Sequence, residues 1–261
     1  MKEYCDTIDN MYRLGWDERN GGNLSYILLE DEIKDYIDLN NKNRFLPLTE
    51  ALPELEGKYF LVTGTGKYFK NVKGDPETNL GIIKIAEGGK GYYILWGYKD
   101  GGRPTSEIPA HLMCHLERLK KDPQHRVVMH THATNVIAMT FVHSLDERAF
   151  TKTLWQMITE CLVVFPDGVG VLPWMICGND EIARATREKM KEYRLCVWGQ
   201  HGIFGTGKDL DETFGLIETV EKAAEIYMKI CGMPILQNIT DEELKSLAVA
   251  FNLKVKEGWL D

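Results

Sequence analysis

The chain lacks the features that would mark it as exported, membrane-spanning or modular. No stretch of its 261 residues approaches 18 uninterrupted apolar positions, so no transmembrane helix is expected. The opening MKEYCDTIDNMYRLGW interleaves charges with apolar residues and has no continuous apolar core, so it does not read as a signal peptide. The six cysteines (Cys5, Cys114, Cys161, Cys177, Cys196 and Cys231) form no C-x-x-C pair. Reduced thiols in a cytoplasmic protein, mostly buried as small apolar side chains, are therefore expected. Linkers rich in Pro, Gly or Ser, low-complexity runs and internal repeats are missing as well, which predicts one domain over residues 1–261. Nor is there an excess of positive charge: 31 Lys and Arg face 39 Asp and Glu, a formal net charge of -8. That balance disfavours nucleic acid as a partner. It leaves a small anionic substrate open, because backbone N–H groups can cradle a phosphate on an acidic protein.

What is present suits a folded α/β protein, with 44% hydrophobic residues to fill a core. Helical spacing runs through the first twenty residues until Gly21-Gly22 stop it, and 23–29 then alternates like a strand. Strands are expected at 58–63, 79–86 and 91–97, the last two joined at Gly88-Gly89, and at 126–130, 162–164, 169–172 and 195–198, with Ile203-Phe204 continuing beyond. Helices are expected over 106–121, 135–141, 149–159, 180–193 with Asp180 as N-cap, 211–230, and 240–252 with Thr240 and Glu243 at capping-box spacing. Strands joined by tight hairpins predict a layered α/β domain with a largely antiparallel sheet.

The chemistry concentrates in the histidines. His130 and His132 close the strand RVVMH and lie two apart, and side chains at i and i+2 of a strand share a face. Two imidazoles so placed can chelate one metal if a third ligand arrives from elsewhere in the chain. His201 is the candidate for that role: it follows the apolar strand LCVW inside the turn Gly199-Gln200-His201-Gly202, where glycine allows close backbone approach. The competing reading is that these are ordinary histidines. It is preferred for His111 and His115, which lie i, i+4 on a helix without the glutamate of an H-E-x-x-H site. His125 and His143 flank loops and are expected in solvent.

Glu107, in RPTSEIP, opens a helix whose N-cap would be Thr105 or Ser106. Two readings stand: a carboxylate favoured by the helix dipole, or an acid/base group beside the metal. Hydroxyls and free N–H groups at that helix start could hold an anion, as could the turns Asn20-Gly21-Gly22-Asn23 and Thr63-Gly64-Thr65-Gly66-Lys67. Each of those turns can equally be only a turn; neither forms a G-x-G-x-x-G or a P-loop.

Taken together, GWDERNGGNLS (15–25), VTGTGKYFKNV (62–72), ILWG (94–97), PTSEIPAH (104–111), RVVMHTHATN (126–135), TECLVVFPDGVGVLPWM (159–175), HGIFG (201–205) and LDETFGLIETVEKAAEI (210–226) run nearly end to end. They resemble the class II, metal-dependent aldolase/epimerase family of sugar-phosphate enzymes, and the first and sixth segments point to one of its aldolases in particular. The resemblance implies a three-layer α/β/α fold and a homotetramer with one zinc ion per subunit held by His130, His132 and His201. It implies Glu107 as the catalytic carboxylate, Glu160 as a second acid/base group, and Asn23, Thr65, Gly66, Thr105 and Ser106 as the grip on the substrate phosphate. Thr131 stands where relatives can carry Cys, and should point away from the metal. The implied reaction is a retro-aldol cleavage of a ketose phosphate between C3 and C4, the metal acting as Lewis acid where class I enzymes use a lysine Schiff base. Imidazole ligands by themselves suit cobalt, nickel or iron as well as zinc. Other readings are a sister aldolase or 4-epimerase of the family, an adducin-like interaction module, against which the three histidines with Glu107 count, and a metallohydrolase. The last would want an Asp soon after the H-x-H, where Ala133-Thr134-Asn135 stand.

Overall fold

The apolar runs YFLV, RVVM and LCVW are too uniformly hydrophobic for strands with one wet face, and each is buried on both. In the computed structural model, which describes residues 1–42 and 44–260, they belong to a single nine-stranded sheet. Its strands are β1 (Asn23–Leu28), β2 (Phe45–Pro47), β3 (Tyr59–Thr63), β4 (Leu80–Ile85), β5 (Gly91–Gly97), β6 (Val127–Thr131), β7 (Gly170–Leu172), β8 (Leu195–Trp198) and β9 (Gly202–Gly207). The order across the sheet is β2-β5-β4-β3-β1-β6-β9-β8-β7, antiparallel throughout except for β7 beside β8.

Two cores sit on the two faces. Tyr59 and Leu61, Val127 and Met129, Leu195 and Val197 join one; Phe60 and Val62, Val128, Cys196 and Trp198 join the other. This strict alternation is the two-residue period of the pleat. Helices Lys2–Arg13, Thr134–Val142, Glu147–Met157, Glu160–Val164 and Leu210–Ile230 cover the first face, and Ile108–Lys121 and Asp180–Met190 cover the second. The result is the three-layer α/β/α arrangement with a mainly antiparallel sheet.

Several local expectations need correction. Residues 162–164 are not a strand but the end of the helix Glu160–Val164, whose Cys161 and Leu162 pack into the first core. A three-residue apolar run cannot distinguish the two states, and here the packing against neighbouring helices decides. The first helix ends at Arg13, not near residue 20; Leu14 and the positive-φ Gly15 (78°) turn the chain into a loop that reaches the site. Asn179, not Asp180, caps the helix Asp180–Met190, its side chain accepting from the Ile182 N–H. Neither Thr105 nor Ser106 caps the helix that follows them, where Glu107 takes the N-cap position without a side-chain capping bond. The Thr240–Glu243 capping box forms as expected.

Candidate metal centre and active site

Register in the centre of the sheet assembles the site. Asn23 of β1 lies opposite His130 of β6, and His130 in turn lies opposite Phe204 of β9. Thr131 faces the other way, as the strand period requires, and its hydroxyl donates to the buried Asp17 carboxylate at 3.0 and 3.1 Å. His201 enters from the β8–β9 hairpin, whose turn residue Gln200 holds a positive φ of 54°. Thr140 secures that strained residue, accepting from its backbone N–H at 2.9 Å and offering a carbonyl to its side chain at 2.8 Å. Gly202 is required by close approach: a Cβ there would lie 2.5 Å from the Thr131 carbonyl oxygen and 3.0 Å from His130 Cε1.

The three imidazoles converge, with ring centroids 5.4 Å apart for His130–His132, 5.0 Å for His130–His201 and 5.1 Å for His132–His201. One nitrogen of each lies within 4.8 Å of the others. Their tautomers follow from their second nitrogens. His130 Nδ1 donates to the Ile203 carbonyl at 3.1 Å, so Nε2 carries the lone pair. His132 Nδ1 sits 3.0 Å from both carboxylate oxygens of Glu18, which again presents Nε2 inward. Burial, reinforced by the neighbouring rings, holds His130 far below the usual imidazole range and brings His201 down to about 4, so both are neutral at physiological pH. His130 Nε2 is the one buried side-chain nitrogen or oxygen among the described residues with no hydrogen-bond partner. Three converging imidazoles built around an orphaned lone pair fit a divalent cation.

Glu107 lies against this cluster, its Oε2 3.6 Å from His130 Nε2 and its Oε1 4.0 Å from His201 Nε2. Asn23 Nδ2 donates to Oε2 at 2.9 Å. Burial pushes the Glu107 carboxyl above the usual range, an effect that the Asn23 hydrogen bond and nearby His132 partly offset. A carboxyl so shifted holds a proton more readily than an exposed one, which suits an acid/base group.

The remaining expected residues divide. A bridge between Gly64 and Pro104, with Thr65 N–H donating to Arg103 O and Thr105 N–H to Thr63 O (both 2.9 Å), brings Thr65, Gly66, Thr105 and Ser106 to one place. Ser106 and Gly66 are exposed there, whereas Thr105 is buried and accepts from the Glu107 N–H at 3.3 Å. Asn23 is buried, and its amide engages Glu107 on one side and His111 on the other. Glu160 is exposed at the start of its helix and joins neither Glu107 nor the three histidines through a hydrogen bond or ion pair.

The sequence did not point to Asp17, Glu18, Ser25 or His111 as parts of this site. The loop carrying the first two follows a helix end that periodicity placed too late. His125, expected in solvent, is buried, and the ring nitrogens of half-buried His143 bond to Ser144 O and the Thr153 hydroxyl.

This fold and this cluster are matched among known proteins. The class II aldolase and adducin N-terminal domain family matches residues 2–228, and the chain belongs to that family. It is a lyase of the aldolase type, in a family that depends on a metal. At finer grain, the chain is 58% identical to the rhamnulose-1-phosphate aldolase of Listeria monocytogenes serovar 1/2a, covering all of this chain and 96% of that protein. The rhamnulose-1-phosphate aldolase of Enterococcus faecalis is 54% identical, over all of this chain and 94% of its own length. Among solved structures, a sugar-phosphate aldolase from Thermotoga maritima superposes with a TM-score of 0.77 at 27% identity, covering 90% of this chain and 96% of that one.

Proposed function

We propose that this protein cleaves L-rhamnulose 1-phosphate, reversibly, to dihydroxyacetone phosphate and L-lactaldehyde, with zinc held by His130, His132 and His201. The observation that carries the metal site is the orphaned Nε2 of His130, fully buried between two further imidazoles and beside a buried carboxylate. The substrate assignment rests on full-length likeness to rhamnulose-1-phosphate aldolases. A divalent cation there supplies Lewis acidity for the charge left on the carbonyl-side fragment.

The chain's own groups carry the protons and the grip. Glu107, pinned at Oε2 by Asn23, returns a proton to C3 through its other oxygen. Glu160, or another group, takes the C4 hydroxyl proton, and the enzyme assembles as a homotetramer. Thr65, Gly66, Thr105 and Ser106, with the second amide proton of Asn23, hold the phosphate. We place this enzyme in the cytoplasm as a single domain over residues 1–261; none of its described helices is long and apolar enough to cross a membrane.

The deciding assay compares rhamnulose 1-phosphate with fuculose 1-phosphate, and wild type with Glu107→Gln. Preference for rhamnulose 1-phosphate is expected, and a Glu107→Gln variant that keeps its fold and metal but loses turnover by about 100-fold or more. Preference for fuculose 1-phosphate would reassign the substrate, and full activity in the variant would remove Glu107 from its role.

A further inference from the structure

Behind Glu107 a line of buried side chains crosses the layer between the sheet and the helix Ile108–Lys121. Asn23 Oδ1 meets His111 Nε2, His111 Nδ1 meets Ser25 Oγ at 2.6 Å, Ser25 Oγ meets His115 Nε2 at 2.8 Å, and His115 Nδ1 meets His125 Nε2 at 2.9 Å. Every member is at most 6% exposed. Nothing in the reaction needs His111, Ser25, His115 or His125 to touch substrate, and no metal-ligand geometry uses them. A five-residue polar chain in an apolar core is costly unless each link is satisfied.

From Glu107 to His115 the polarity of the chain follows link by link. The ionised Glu107 carboxylate only accepts, so the Asn23 amide turns its NH2 toward it and its oxygen toward His111. His111 must then carry its proton on Nε2. Burial keeps that ring neutral, its pKa lowered to about 3, so Nδ1 is bare and accepts the Ser25 hydroxyl proton. The Ser25 oxygen, its own proton committed, accepts from His115 Nε2–H. His115 Nδ1 is therefore bare and faces His125 Nε2 at 2.9 Å, while the His125 ring also bonds the Gly207 carbonyl. From His115 to Asn23, four donors in series point toward Glu107.

We infer that His111, backed by Ser25 and His115, is a positioning residue that locks the Asn23 amide with its N–H toward Glu107. Flipping that amide would reverse the His111, Ser25 and His115 links together. The lock fixes Oε2 as the tethered oxygen of Glu107 and leaves Oε1, the one nearer His201, to carry the proton. The inference deepens the aldolase reading and rests on it for its kinetic arm only.

Two measurements test it on the full-length, metal-loaded protein. Neutron diffraction of perdeuterated crystals is expected to place a deuteron on Nε2 and none on Nδ1 of both His111 and His115. A deuteron on His111 Nδ1 in place of Nε2 would overturn the proposal, whatever the substrate proves to be. In kinetics with rhamnulose 1-phosphate, His111→Phe is expected to keep its metal and lose about 10- to 100-fold, with kcat taking the larger share. His111→Gln, which restores an N–H toward Asn23, is expected to recover most of that loss, and Ser25→Ala to lie between. A folded His111→Phe variant with wild-type kcat, or one changed in KM alone, would contradict the lock. If wild type shows no turnover of this sugar, the substrate assignment fails and the deuteron positions still decide this inference.

Discussion

A buried imidazole nitrogen with no donor forfeits a hydrogen bond that water would have supplied, at a cost of about 1–3 kcal/mol. His130 Nε2 carries that cost, while every other buried side-chain nitrogen or oxygen among the described residues has a hydrogen-bond partner. Its neighbours explain why the arrangement persists. Ile203 O and Glu18 fix the proton on Nδ1 of His130 and His132, turning both lone pairs toward one point. Glu18→Gln removes the charge behind His132, and metal affinity measured by chelator competition is expected to weaken about 10-fold, the lower end for such partners because Glu18 is exposed. Unchanged affinity would show that His132 needs no orientation from Glu18. At this scale the histidines and Glu107 were legible from residue type and the period of a strand. Glu18 was not, because it sits on an irregular loop with no period to read. His111 and His115 were visible as an i, i+4 pair, but their partners Ser25 and His125 arrive from elements whose register no local pattern encodes.

Among the elements, hairpin β8–β9 does most to build the site, since its turn delivers His201 into the angle between His130 and His132. The turn tolerates little: Gln200 is strained and Gly202 touches β6 backbone. Gly202→Ala is expected to push the hairpin away from His130, lowering stability by about 1–3 kcal/mol and reducing metal occupancy together. Denaturant unfolding and metal analysis of one preparation check this, and an alanine variant with wild-type metal content would contradict it. Most elements were readable from hydrophobic period and turn residues. The exceptions share a cause. Residues 162–164 form a helix end because of what they pack on, and the Asn179 cap lies one position before the expected Asp180, within the ordinary ambiguity of adjacent Asn and Asp.

For the whole molecule, two-sided burial of the sheet places ionisable groups where water cannot reach them, and this ties stability to pH. Burial lowers His111 and His125 to about 3, against an ordinary imidazole value near 6.5. Below 6.5 the unfolded chain binds protons that the native state refuses. Their contribution to stability is therefore complete above 6.5 and is lost as pH falls toward 3, each ring costing up to about 1.4 kcal/mol per pH unit. Urea midpoints are expected to drop steeply between pH 6.5 and 4.5, and a flat profile there would mean these rings are not held neutral. The layer architecture was legible as a class. The strand order that sets Asn23 beside His130 was not, because it depends on pairings between segments a hundred residues apart.

The central claim, a histidine-held metal at the heart of an aldolase, meets its most direct test in metal removal. Purified protein is expected to hold about one zinc per chain. Exhaustive chelation should abolish cleavage of rhamnulose 1-phosphate, and one equivalent of zinc should restore it. Turnover that survives complete removal of metal, or a lysine adduct trapped by borohydride in the presence of substrate, would contradict the account.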